Sequence, residues 1–228
     1  MYWRRLSRYW CRLFRPAGRP RAAAAIAVAL LAAPFVLLLF HTLATPLPEV
    51  MVHGDLALIE LSTLKAARFD QVAGPYSRFK MHHPGPALFY WLAPFHQLGG
   101  QRYGALCLGI LVLNLAAFLV LLLVPWRLAG ARGLLLAAPF LALLALHAGP
   151  HLLWSVWNPD AAVLPFAASF ACAVAVAAGR PNFLPAGVFF AFFAAQCHVL
   201  YLAPVAAVWL AALACAVQHL CWSWSCWC

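Results

Sequence analysis

Charged side chains are scarce in this chain. Only 9% of its 228 residues are Asp, Glu, Lys or Arg, and the acids number 5 against 15 Lys and Arg. There is no internal repeat and no polar stretch that reads as a separate soluble domain. These absences exclude an ordinary water-soluble globule. The 66% hydrophobic content and mean hydropathy of +0.88 describe a membrane protein instead. Nucleic acid is excluded as a partner on similar grounds, because the net charge of +10 is not laid out as a basic groove interleaved with exposed aromatics. The 8 cysteines lack the pattern of a disulfide scaffold. Cys107, Cys172 and Cys215 fall in apolar runs, where thiols pack as small hydrophobes, and the terminal LCWSWSCWC has no histidine at zinc-like spacing.

What is present is a series of apolar runs, at 22–44, 104–126, 132–149, 161–179, 183–200 and 203–220. A helix needs about 20 residues to cross a hydrocarbon core of about 30 Å, and each run approaches that length. The expected fold is an all-α polytopic membrane helical bundle of about six transmembrane helices, with juxtamembrane helices on its outer face. Its parts are a cytoplasmic basic leader at 1–21, a transmembrane domain at 22–220 with an outer loop at 45–103, and an atypical or truncated tail at 221–228. Ala44-Thr45-Pro46 is a poor cleavage site, so the first run reads as a retained anchor rather than a signal peptide. Arg4, Arg5, Arg8, Arg12, Arg15, Arg19 and Arg21 precede that run, which places the amino terminus in the cytoplasm and offers a contact for anionic lipids. Arg127, Arg132 and Arg180 then return to the same side. The 45–103 loop, the WNPD turn and the junction near His198 fall together on the other, periplasmic or extracellular, face.

Three of the chain's 5 acids, an adjacent pair of histidines and several arginines and lysines lie between His53 and Trp91. Asp55 to Phe69 reads as a short helix, with Leu56, Ile59, Leu64 and Ala67 supplying part of an apolar face. Asp55 is the first candidate catalytic residue, since a carboxylate at the membrane surface can activate a hydroxyl or hold a divalent ion; it can equally cap the helix. Glu60 is the second candidate. Five residues on, it diverges from Asp55 more than a true i,i+4 neighbour, so the two need not share a metal. The metal ligands stay unknown and a divalent ion stays open.

In GPYSRFKMHHPGP, Arg78 and Lys80 suit phosphate oxygens, and His82 or His83 can donate to phosphate or carry a proton. The same residues also fit an interfacial belt, with Tyr76, Tyr90 and Trp91 as anchors. PGPALFYWLAPF is apolar, aromatic and too short to span, so it is expected to lie in the interface. Asn158 can bond a sugar hydroxyl, and Trp154 or Trp157 can stack on a sugar or line an isoprenoid groove. The plainer alternative is that Asn158 or Asp160 caps the next helix behind Pro159. Gln196 and His198 sit near an outer helix end, where polar residues usually face a cavity or a protein partner.

A basic leader, an acid opening the first outer loop and the proline-containing HHPGPALFYW element together resemble the membrane-embedded GT-C glycosyltransferases. The likeness is to the protein mannosyltransferase and aminoarabinose transferase-like group. The resemblance implies transfer of a sugar from a polyprenyl-phosphate carrier to a hydroxyl acceptor on the outer face. In that reading Asp55 is the acid/base carboxylate, the Arg78–His83 region meets the carrier phosphate, and Asn158, Gln196 and His198 follow as outer-face positions. The sequence departs from the family where paired acids become GDLALIE and where a lysine-proline-proline approach becomes His83-Pro84-Gly85-Pro86. Family members also continue through further helices, so activity is expected to require a missing C-terminal region or a partner subunit. The alternatives are a non-enzymatic component that binds or transports lipid-linked saccharides, and an inactive fragment.

Overall fold

The computed structural model describes residues 21–44, 53–77 and 79–225. The basic leader up to residue 20 and Arg78 therefore lie outside the described residues, as do 45–52 and the last three residues of the tail. The fold is helical apart from one two-stranded hairpin. Its elements are α1 (Arg21–Ala44), α2 (Asp55–Ala66), β1 (Tyr76–Ser77), β2 (Met81–His82), α3 (Ala87–Leu98), α4 (Tyr103–Trp154), α5 (Asn158–Ala161), α6 (Val163–Ala177), α7 (Leu184–Cys197) and α8 (Leu202–Ser225). Short 3-10 turns at Pro181–Phe183 and Val199–Tyr201 lead into α7 and α8. β1 and β2 pair antiparallel, with Tyr76 opposite His82 and Ser77 opposite Met81.

The expected six spans are corrected to four. Among the described residues, the helices long and apolar enough to cross a membrane are Ala22–Ala44, Tyr103–Leu146, Asn158–Ala177 and Val199–Gln218. The runs at 104–126 and 132–149 belong to one element, α4, with no loop between them. Its helical path is broken at Ala129 (φ −137°, ψ 16°) and Gly130 (φ 61°, ψ −151°). Glycine tolerates that positive φ without the clash a Cβ would bring. The bend folds α4 back on itself, so that the Asn114 side-chain amide donates to the carbonyls of Leu152 and Leu153 at 3.3 and 3.0 Å. The run at 183–200 yields only the 14-residue α7, about 21 Å of helix at 1.5 Å per residue. That is short of a hydrocarbon core of about 30 Å.

Small residues let the apolar helices approach closely. α6 packs on α4, α7 and α8 and buries Ala168, Ser169, Cys172 and Ala173. In lipid such close packing and interhelical hydrogen bonds, rather than escape from water, hold helices together. Trp209 of α8 donates through Nε1 to Ser169 Oγ at 2.9 Å. A Cβ at Gly187 of α7 would collide with the Trp209 ring and with Cys172, so that crossing depends on glycine. α1 lies against α4, where Phe35 stacks on Phe118 at 4.7 Å between ring centroids.

The outer segments rest on this bundle. The aromatic element begins at Ala87, with Pro86 in the N-cap position, and turns Leu88, Phe89, Leu92, Ala93 and His96 inward. That i, i+1, i+4, i+5, i+8 pattern is one face of a helix, and α3 uses it to pack between α2 and α4. α3 is thus half-buried in protein rather than simply lying in an interface. Trp91 Nε1 donates to the Gly109 carbonyl at 2.8 Å, pinning α3 to α4. α2 ends at Ala66, earlier than the sequence suggested, and Phe69 takes φ 62° in the turn that follows.

Candidate functional site

Three segments far apart in sequence meet at one end of the fold. Trp157 Nε1 donates to Asp55 Oδ2 at 3.3 Å. The Asn158 side-chain amide donates to the Cys197 carbonyl at 2.9 Å. The Val199 N–H donates to His83 Nδ1 at 3.3 Å. The long outer loop, the WNPD turn and the α7–α8 junction therefore form one surface. Arg127 and Arg132 flank the α4 bend and Arg180 follows α6, a helix length away along the chain from this surface.

Asp55 opens α2 but does not cap it. The cap position belongs to Gly54, at φ 58°, and no side chain bonds there. The Asp55 carboxylate is exposed and lines two cavities. The larger, of about 800 Å³, is also walled by His41, His53, Tyr103, His151 and Trp157. The smaller, of about 370 Å³, is walled by Lys65, Tyr76, His82 and Asn158, among others. A third, apolar groove of about 660 Å³ runs between α1 and the second arm of α4, past Leu31, Leu38 and Leu153. His41 lines both this groove and the larger cavity, so the apolar groove adjoins that chamber at His41. Asp160, on the rim of that chamber, lies 3.9 Å from His151 Nδ1.

The other candidates separate by what they already bond. Glu60 accepts from, or pairs with, His96 Nε2 at 3.2 Å. His96 is fully buried on α3, so Glu60 ties α2 to α3 and does not line the larger cavity. Lys80 is exposed in the hairpin. His82 Nδ1 lies 3.0 Å from the Gly74 carbonyl, and its ring meets Tyr76 edge-on at 5.4 Å. His83 is buried and stacks on His198 with centroids 4.3 Å apart. Burial, followed by the charges of His198 and His82, holds the His83 pKa below the usual 6.5, and burial also lowers that of His198. Asn158 is buried and, like Asp160, does not cap α5; Trp157 takes that position. The Gln196 carbonyl accepts from the Gly85 N–H at 3.4 Å, and a Cβ on Gly85 would collide with the Gln196 side chain.

His41, Tyr103 and His151 were not singled out from the sequence, since each lies inside or at the edge of an apolar run. The signal available was polarity at a membrane-helix end, the same one that drew attention to His198. Among the described residues, no group of three or more His, Cys, Asp or Glu is arranged to hold a metal ion. No family model, curated protein or solved structure matches the chain.

Proposed function

We propose that the chain forms the membrane-embedded site of a GT-C-like glycosyltransferase, moving a sugar from a polyprenyl-phosphate carrier to a hydroxyl acceptor. The supporting observation is the placement of the exposed Asp55 carboxylate on the wall common to two cavities, the larger of which adjoins an apolar groove at His41. The prenyl chain would lie in the groove beside α1. Its phosphate would meet His41, His53 and His151 in the larger cavity, and the acceptor would come through the smaller cavity.

The transfer forms a bond from the acceptor oxygen to the sugar C1 and breaks the C1–phosphate oxygen bond. Asp55 takes or orients the acceptor proton, and the electron pair leaves with polyprenyl phosphate. The Trp157 hydrogen bond keeps the carboxylate aimed while leaving its other oxygen open to the acceptor. The histidines donate to charge growing on the leaving phosphate, where stabilisation acts most on rate. This departs from the sequence reading, in which the Arg78–His83 region approached the phosphate: Lys80 and His83 line neither cavity. With the arginines of the α4 bend and of the α6–α7 turn in the cytoplasm, the site faces the periplasm or cell exterior and the amino terminus stays inside.

Asp55→Asn tests the reading. It should lower transfer at least about a hundredfold, in the range of lost general-base catalysis, with membrane insertion unchanged. Near-wild-type turnover removes Asp55 from the mechanism. Binding of lipid-linked saccharide without transfer is the second reading. It is favoured by the engagement of Glu60 with His96, which leaves Asp55 without a second carboxylate on its own helix. Saccharide binding that survives Asp55→Asn, with no transfer to any hydroxyl, would select it.

A further inference from the structure

The 3-10 turn at Val199–Tyr201, which leads into the last helix, has an unusual pair of acceptors. A helix begins with N–H groups that have no intrahelical partner, and Ser, Thr, Asp or Asn side chains generally serve them. Here two imidazoles do so. His83 Nδ1, from the outer loop, accepts from Val199 N–H at 3.3 Å, and His198 Nδ1 accepts from Leu200 N–H at 3.3 Å. The rings lie face to face at 4.3 Å and 34°. One further contact closes the same seam, Gly85 N–H to the Gln196 carbonyl at 3.4 Å, while His83 N–H to the Pro75 carbonyl at 2.9 Å holds the loop itself together.

We propose that His83 and His198 form an acid-released latch that docks the 71–86 loop onto the α7–α8 junction. Each Nδ1 accepts only while it carries no proton. Protonation turns the acceptor into a donor facing another donor, so the bond is lost rather than weakened. It also puts a positive charge at the positive end of a helix dipole and, when both rings charge, two cations 4.3 Å apart. Among the described residues, no acid pairs with either ring. From the hairpin come His82 and Lys80, both bases. From the end of α7 comes neutral Gln196. On the side of α5, Tyr201 donates to the Pro159 carbonyl at 3.5 Å and stands edge-on to His198, with Asp160 beyond it.

The sign follows from these groups. Their folded-state pKa values lie below the ordinary 6.5, so the latch is intact above 6.5 and is lost as pH falls through those lowered values. Released, the loop carrying His82, Tyr76 and Gly74 would lift from the smaller cavity it lines. The latch is independent of whether sugar is transferred, because it concerns how the loop docks.

The test is amide hydrogen exchange on the full chain in lipid nanodiscs, from about pH 7.5 to about 4.5, corrected for intrinsic rates, with α4 peptides as internal control. Wild type should lose roughly tenfold protection at Val199 and Leu200, and in 71–86, as pH falls below 6.5. His83→Gln with His198→Asn keeps acceptor oxygens that do not titrate, and should flatten the profile. Unchanged wild-type protection down to the lowest pH overturns the latch. So does an equal loss in the double variant. If that variant fails to insert, the wild-type profile against α4 still decides.

Discussion

The end of the fold where the three segments meet contains two polar regions that differ in what they have left to give. At the α7–α8 junction, His83, Asn158 and the Gln196 backbone are all engaged by other elements, and His83 and Asn158 are buried. Around the larger cavity, Asp55, His53 and His151 are exposed, and Asp55 receives a single long bond from Trp157. Both regions draw on the same residue types. The first spends them on joining segments distant in sequence; the second presents them to an empty space. Polar residues near a membrane are therefore not evenly functional. Their bonding state separates residues that join segments from residues that face a cavity.

Substitutions can break that contrast, and the largest effect is expected on the open side. Asp55→Asn should remove at least about a hundredfold of transfer while leaving thermal unfolding unchanged, as parallel turnover and melting measurements would read. Gly187→Val should act in the opposite sense on the two readouts. Overpacking against Trp209 and Cys172 is expected to cost about 1–3 kcal/mol of stability without touching the cavity. Asn158→Ala strands the Cys197 carbonyl at the junction and should cost about 1–3 kcal/mol, again by melting. Because Asn158 also lines the smaller cavity, transfer per folded molecule should fall, but far less than with Asp55→Asn. Trp157→Phe, which frees the Asp55 carboxylate, is the smallest of the four. It should lower turnover severalfold and shift stability by no more than about 1 kcal/mol, because the bond is exposed. If Asn158→Ala abolished transfer in well-folded protein, the division between the two regions would fail.

Much of the helical, membrane-spanning character was legible in the apolar runs, and so was the meeting of the loop, the WNPD turn and the His198 junction. Segment order was enough for that. The span count was not legible. Hydropathy sees two runs at 104–126 and 132–149, but whether a break ends a helix or bends it depends on backbone angles at Ala129 and Gly130. Nor does hydropathy reveal that the run at 183–200 shortens to α7 between 3-10 turns.

For the site, Asp55 was identifiable as an acid opening an outer helix, though capping and cavity-facing roles read alike until Gly54 was found in the cap position. Glu60 was a second candidate acid, diverging from Asp55 along the helix. Its actual partner, His96, lies 36 residues on and on another helix. His83 and Asn158 read as ligand residues because imidazoles and amides suit phosphate and sugar. Burial between elements is invisible to composition, and it is burial that engaged them.

The most direct measurement is the turnover of Asp55→Asn beside that of wild type in native membranes, with thermal unfolding of both recorded on the same preparations. The account predicts at least about a hundredfold slower transfer and coincident melting curves. Turnover close to wild type, or a melting loss as large as that of Asn158→Ala, would contradict it and move Asp55 into the scaffold.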